Sequence, residues 1–218
     1  MEKPLTITAV SGWALPSGWF HSRIEKYFPD AKIKVLYPSD PSDSQEAELL
    51  LKSAQADLYL GYSLGSLWLM THKKLLPQTS TKVFLSPVLG FTRERGRGGK
   101  TPETKLKYLI RQLKRCPQDP SSLRGFYSDA GIQISNEWLL RVPENEALLK
   151  GLEFLQKAPV PETDKLDGIA LVGKEDKFLD GDQLKEYLPQ LEIISSVGHS
   201  PELLLNRLAE LLNSAANG

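Results

Sequence analysis

The chain has 218 residues, long enough for one large domain or for a core domain carrying an insert. Lys plus Arg equals Asp plus Glu at 27 each, so no global basic excess marks a nucleic-acid binder. Cys116 is the only cysteine, which excludes an internal disulfide and any CxxC metal site and suits a reducing compartment. Met1-Glu2-Lys3-Pro4 has no basic stretch leading into an apolar block, so no signal peptide is read there. The apolar stretch Leu58 to Thr71 falls short of the ~20 residues that span a bilayer. The expectation is a cytoplasmic protein that binds neither nucleic acid nor membrane.

In chain order, Leu5 to Val10 is β-rich and stops at Ser11-Gly12, a turn signal. Trp19, Phe20, Ile24 and Tyr27 then recur at helical spacing over Ser17 to Tyr27, before Pro29. Lys32 to Tyr37 predicts a second strand, and Ser42 to Ala54 a helix with Ser42 or Asp43 as its cap. Leu58 to Leu60 is a third strand, Leu64 to Leu76 a buried helix, and Lys82 to Ser86 a fourth strand. Such alternation points to a parallel sheet with helices on both faces. It breaks at Leu89. Thr92 to Gly99 is charged and glycine-rich and reads as a loop, with disorder a reading for Arg93 to Lys100. Thr104 to Arg115, Asn136 to Arg141 and Asn145 to Lys157 read as helices, punctuated by Pro117, Pro120 and Pro143. Ile169 to Gly173 is a fifth strand, Gly181 to Leu188 a helix, Leu191 to Val197 a sixth strand, and Pro201 to Leu212 a closing helix. The expected division is a core of 1–88 and 161–218 with a helical cap of 89–160.

Gly61-Tyr62-Ser63-Leu64-Gly65 has the G-x-S-x-G spacing of a sharp strand-to-helix turn that lifts a serine hydroxyl above a sheet. About one random sequence in ten of this composition would contain the spacing, so the flanking strand and apolar helix carry the weight. A glycine-rich turn that merely packs or cradles a phosphate is the plain alternative. A nucleophilic serine needs a base, and the base needs an orienting carboxylate. Of three histidines, His199 lies in Gly198-His199-Ser200-Pro201 after the sixth strand. Loops after the strands of a doubly wound sheet share one rim, so Ser63 and His199 are expected together. Asp176 follows the fifth strand and is the candidate acid, with Glu175 and Asp180 as competitors. The order serine, acid, histidine is the one that α/β-hydrolases use. An oxyanion site would take the N–H of Leu64 and one from the loop Ser11 to Ala14, with Trp13 the candidate. Trp13, Tyr62 and Phe126 are the candidate aromatic substrate contacts. This chemistry calls for no cofactor and no metal.

These residues resemble the α/β-hydrolase fold, and within it the carboxylesterases that remove the methyl group from pimeloyl-acyl-carrier-protein methyl ester in biotin synthesis. The resemblance rests on Ser11-Gly12-Trp13-Ala14-Leu15, Gly61 to Ser66, Ser86-Pro87, Leu149 to Leu155 and Gly198 to Pro201. Ser11 and Ala14 depart from the histidine and glycine that the family favours. The chain begins where the family has its third strand, which implies about six strands. The resemblance implies an acyl-enzyme mechanism and a basic cap that receives an acidic acyl-carrier protein. From Arg93 to Arg124 there are ten Lys or Arg against three acids, so the rest of the chain carries seven net negative charges. Arg111, Arg115 and Arg124 are the candidate cap contacts, an ordinary solvated helix face being the alternative. A general short-chain carboxylesterase or thioesterase, or a non-catalytic binding protein on the same fold, are the rival functions.

Overall fold

The computed structural model describes residues 3–117, 121–162 and 166–216, so Pro120 lies outside the described residues. Six parallel strands form one sheet in the order β2-β1-β3-β4-β5-β6. They are β1 (Thr6–Val10), β2 (Lys32–Leu36), β3 (Leu58–Tyr62), β4 (Thr81–Leu85), β5 (Ile169–Gly173) and β6 (Leu191–Ile194). Every residue of β3 is buried, as a central parallel strand covered on both faces must be. At the edge, β2 exposes Lys32 and Lys34 between less exposed Ile33 and Val35, which gives it a period of two. The register sets Val10 beside Gly61, and Gly61 beside Phe84, so the ends of the three central strands reach one rim.

The chain runs outward one way from β1 to β2 and the other way from β3 onward. The C-terminal ends of β1 and β3 therefore flank the switch point where open α/β sheets bind ligands. Helix α1 (Ser17–Glu25) buries Trp19, Phe20 and Ile24. Helix α2 (Ser44–Lys52) is capped by Asp43, whose carboxylate accepts from the Gln45 and Glu46 N–H groups. Helix α3 (Leu64–Thr71) is buried all round up to Met70. It ends at Thr71 and passes into a short 3₁₀ turn over Lys73–Leu75, where the sequence suggests one helix to Leu76.

Between β4 and β5 the regular structure is mostly helical: α4 (Glu103–Arg115), α5 (Ser121–Ala130), α6 (Asn136–Leu139) and α7 (Asn145–Lys157). Periodicity does not announce α5, because Gly125 and several serines depress its propensity. The helix gains its stability by burying Leu123, Tyr127 and Ala130. The 92–101 segment is ordered, which corrects the reading of disorder. It forms a 3₁₀ turn over Arg93–Arg95, and Thr101 bridges Thr92 while Gly99 bridges Leu179. Two of its cations are occupied too: Arg95 donates to the Gln156 and Ala158 carbonyls, and Arg97 stacks on Tyr187. Helices α8 (Gly181–Lys185) and α9 (Pro201–Ala216) complete the fold. Strand β6 stops at Ile194 instead of Val197, because Ser196 turns the chain at φ 59°. Among the described residues, no helix is long and apolar enough to cross a membrane.

Candidate active site

Ser63 sits between β3 and α3 with φ 53° and ψ −114°, a backbone conformation that a residue with a Cβ rarely adopts. The turn is tight because nothing larger than hydrogen fits at two flanking positions. A Cβ on Gly61 would lie 2.6 Å from the Gly65 carbonyl oxygen, and one on Gly65 would lie 2.1 Å from that of Val10. The Ser63 N–H donates to the Leu85 carbonyl at 2.9 Å, anchoring the elbow to β4.

Two other loops meet this serine. Ser63 Oγ lies 3.0 Å from His199 Nε2, and His199 Nδ1 lies 2.7 Å from Asp176 Oδ2. Ser63, Asp176 and His199 are 5%, 1% and 2% exposed, so solvent screens the trio little. The second Asp176 oxygen accepts from the Phe178 N–H at 2.8 Å and the Leu179 N–H at 3.1 Å. Burial acts to raise the Asp176 pKa, but the His199 ring and these backbone donors outweigh it. The carboxyl is held below its usual range. An ionised carboxylate only accepts, so Nδ1 carries the proton and Nε2 offers its lone pair to the serine hydroxyl. Such an arrangement can move a proton from the serine as its oxygen attacks a carbonyl.

The rival carboxylates are placed elsewhere. Glu175 is exposed, and Asp180 caps α8 by accepting from the Asp182 and Gln183 N–H groups. Ser86 is a partner that the sequence reading misses. It turns the chain after β4 at φ 46°, and its hydroxyl donates to Asp176 Oδ2 at 3.2 Å. Its place on the rim after β4, in the Ser86-Pro87 pair, is the signal in the sequence that marks it. Lys100 adds a bond from Nζ to the Asp176 carbonyl at 2.8 Å, so the 92–101 segment supports the acid loop.

Leu64 opens α3, where an N–H has no acceptor within the helix, beside the Ser63 hydroxyl. Trp13 lies in the loop after β1, its indole N–H donating to the Leu148 carbonyl at 2.9 Å and its ring set edge-on to Phe126. Trp13, Phe126 and Phe178 help to line a cavity of about 300 Å³, bounded by α4, α5 and α7. Its wall is mainly apolar, and a Lys105–Asp129 ion pair of 2.8 Å joins α4 to α5 beside it. Phe178 also touches His199 edge-on with ring centres 4.9 Å apart, so the cavity's aromatic floor abuts the trio.

Tyr62 does not line this cavity. It is buried, and its hydroxyl donates to the His199 carbonyl at 2.7 Å, so it steadies the histidine loop. Burial and the nearby Asp176 charge push its pKa well up and keep it protonated. Arg111 and Arg115 are exposed on α4 and are absent from the cavity wall. Arg124 borders a separate depression and bonds Asn136 at 2.9 Å. The structure thus gathers Ser63, Asp176, His199, Leu64, Trp13 and Phe126, and leaves the three arginines outside. Among the described residues no cluster of His, Cys, Asp or Glu is suited to holding a metal ion.

The parallel sheet, the strand–helix elbow and the loops at its rim define the α/β-hydrolase fold. Solved structures bear this out. An esterase from Exiguobacterium antarcticum is 15% identical over 100% of this chain and 94% of its own, with a TM-score of 0.71. Carboxylesterase CesB from Bacillus subtilis is 12% identical over 97% of this chain and 85% of its own, with a TM-score of 0.64. A Bacillus megaterium epoxide hydrolase is 12% identical over 99% and 93%, with a TM-score of 0.63. At such identities the likeness is one of fold. No family model and no curated protein matches the sequence.

Proposed function

We propose that this protein is a serine carboxylesterase. Ser63 attacks the ester carbonyl, and His199 takes its proton and returns it to the leaving alcohol. Asp176 holds the imidazole tautomer. The Leu64 and Trp13 N–H groups receive the oxyanion, and water then cleaves the acyl-enzyme. The observation that carries this reading is the hydrogen-bonded run from Ser63 through His199 to Asp176, at 3.0 and 2.7 Å, on a strained elbow. A binding protein would have no use for all three members. Release of p-nitrophenol from p-nitrophenyl butyrate tests the reading, and a folded protein that releases none would refute it.

The finer proposal is that the ester is the methyl ester of pimeloyl-acyl-carrier protein and that residues 89–160 serve as a cap. Support comes from the family resemblance and from the net positive charge between Arg93 and Arg124. In this reading Arg111, Arg115 and Arg124 meet the acidic carrier on the cap's outer surface and steer its approach, while the acyl chain enters the apolar cavity. Rescue of a biotin auxotroph lacking its methyl-ester esterase tests this. Reversing the three arginines to Glu should slow only the carrier-linked ester. A general short-chain carboxylesterase or thioesterase would hydrolyse p-nitrophenyl butyrate and fail the rescue.

A further inference from the structure

The cavity beside the trio has a buried end and an open one. Trp13, Leu152 and Phe178 are buried and form its floor, and Phe178 meets His199. At the other end Lys105 and Tyr108 of α4 and Gly125 of α5 line it and are exposed, Tyr108 by 61%. The mouth therefore lies between α4 and α5. Only residues 116–120 separate these helices in the chain, and Lys105 near the start of α4 pairs with Asp129 near the end of α5 at 2.8 Å, so they run antiparallel. Gly125 lies one turn before Asp129 on the same face of α5, which sets it across from the next turn of α4, at Tyr108 and Leu109. A Cβ added at Gly125 would meet nothing among the described residues within 4 Å. The missing side chain leaves a gap in the wall that α4 and α5 share. Its rim is polar, with the Lys105–Asp129 pair to one side and the Gln112 amide donating to the Tyr108 hydroxyl at 2.9 Å on the other.

We propose that Gly125 is a specificity-determining residue: the gap over it lets an acyl chain too long for the cavity pass between α4 and α5. The enzyme then takes esters of long-chain acids whose far end stays in water at the polar rim. The inference rests on the carboxylesterase reading and on the acyl chain's place in the cavity, so its test separates the two. A methylene fills roughly the volume of one water molecule in the liquid, ~30 Å³. On that scale a butyryl group takes about 120 Å³ and stays inside the cavity of about 300 Å³, whereas a twelve-carbon chain takes about 360 Å³ and must emerge.

Two p-nitrophenyl esters form the test. One is the butyrate. The other is the ester of dodecanedioic acid whose second carboxyl is amide-linked to a short polyethylene glycol, which holds that end in water. They are compared in wild type and in Gly125→Ala, Gly125→Leu and Gly125→Phe, each shown folded by its melting curve. All three replacements are better helix formers than glycine, so α5 should persist. Burial of one methylene is worth about a factor of four in binding, so a side chain that evicts two or three from the gap costs about 15- to 60-fold. The expected kcat/KM on the glycol-tagged ester stays within about threefold of wild type in Gly125→Ala, falls by that factor in Gly125→Leu and falls further in Gly125→Phe. On the butyrate it stays within about threefold in all three. A wild type that cleaves the butyrate but not the tagged ester, equal losses on both esters, a loss already complete in Gly125→Ala, or no loss in Gly125→Phe would overturn the proposal. A wild type that cleaves neither ester would overturn the esterase reading itself.

Discussion

Gly65 offers the sharpest test of how the elbow is packed. A methyl group there would stand 2.1 Å from the Val10 oxygen, 2.6 Å from the Val10 carbonyl carbon and 2.8 Å from the Ser11 oxygen. All three atoms are backbone at the end of β1, so no side chain can swing aside. Relief to an ordinary contact of about 3.4 Å requires the start of α3 to move by more than about 1 Å. Overpacking of this kind typically costs about 1–3 kcal/mol and more where backbone resists, so we expect Gly65→Ala to lose about 3 kcal/mol. For a chain of this size, that corresponds to a melting point roughly 6–12 °C lower. Ser63 is two residues away, and a 1 Å misplacement of a reacting group costs on the order of 10²-fold in rate. The assay pairs thermal unfolding, followed by circular dichroism, with p-nitrophenyl butyrate hydrolysis at 20 °C. Gly125→Ala is the control for stability: nothing lies within 4 Å of a Cβ there, and alanine in α5 should raise stability by about 0.5–1 kcal/mol. A Gly65→Ala protein that melts and turns over like wild type would show that α3 does not abut β1 as described.

Ser63→Ala should retain the fold and lose on the order of 10⁶-fold in kcat, and residual activity above a few per cent would remove Ser63 as nucleophile. Asp176→Asn should lose about 10⁴-fold by favouring the wrong tautomer, measured as kcat on the same ester. Asp180→Ala should instead cost about 1 kcal/mol of stability through the lost α8 cap, and Glu175→Gln should be silent in both assays. Equal kinetic damage from either would move the acid assignment. Acid stability carries a sign that can be checked. The Asp176 pKa is lower folded than unfolded, so the unfolded chain takes up more protons as pH falls. Its contribution is whole above the ordinary Asp value of about 4 and fades as pH drops through the lower folded value. Melting curves of wild type and Asp176→Asn should therefore converge as pH is taken from 6 toward 3, and curves that stay parallel would contradict this.

The sequence by itself determined those features that depend on neighbours a few residues apart. The six strands follow from runs of β-branched and apolar residues, and α7 occupies Asn145–Lys157 as its periodicity predicts. The elbow is legible because its need for small residues on either side of Ser63 is local, although the atoms that enforce it belong to β1 as well as to α3. What only the tertiary structure decided depends on contacts between distant residues. Helix α5 has weak propensity and exists by virtue of the surface that it buries, so no window along the chain reveals it. Asp176, Glu175 and Asp180 are alike on a rim loop, and only the fold shows which carboxylate faces a histidine 23 positions on. Tyr62, in the middle of the motif, turns out to hold the His199 backbone across 137 positions. Tyr127 reaches Ala14 across 113. Propensity and spacing describe a chain against its own near neighbours. Side-chain direction and burial are settled by which distant atoms share the interior, and at this site that decides which hydroxyl, imidazole and carboxylate are joined.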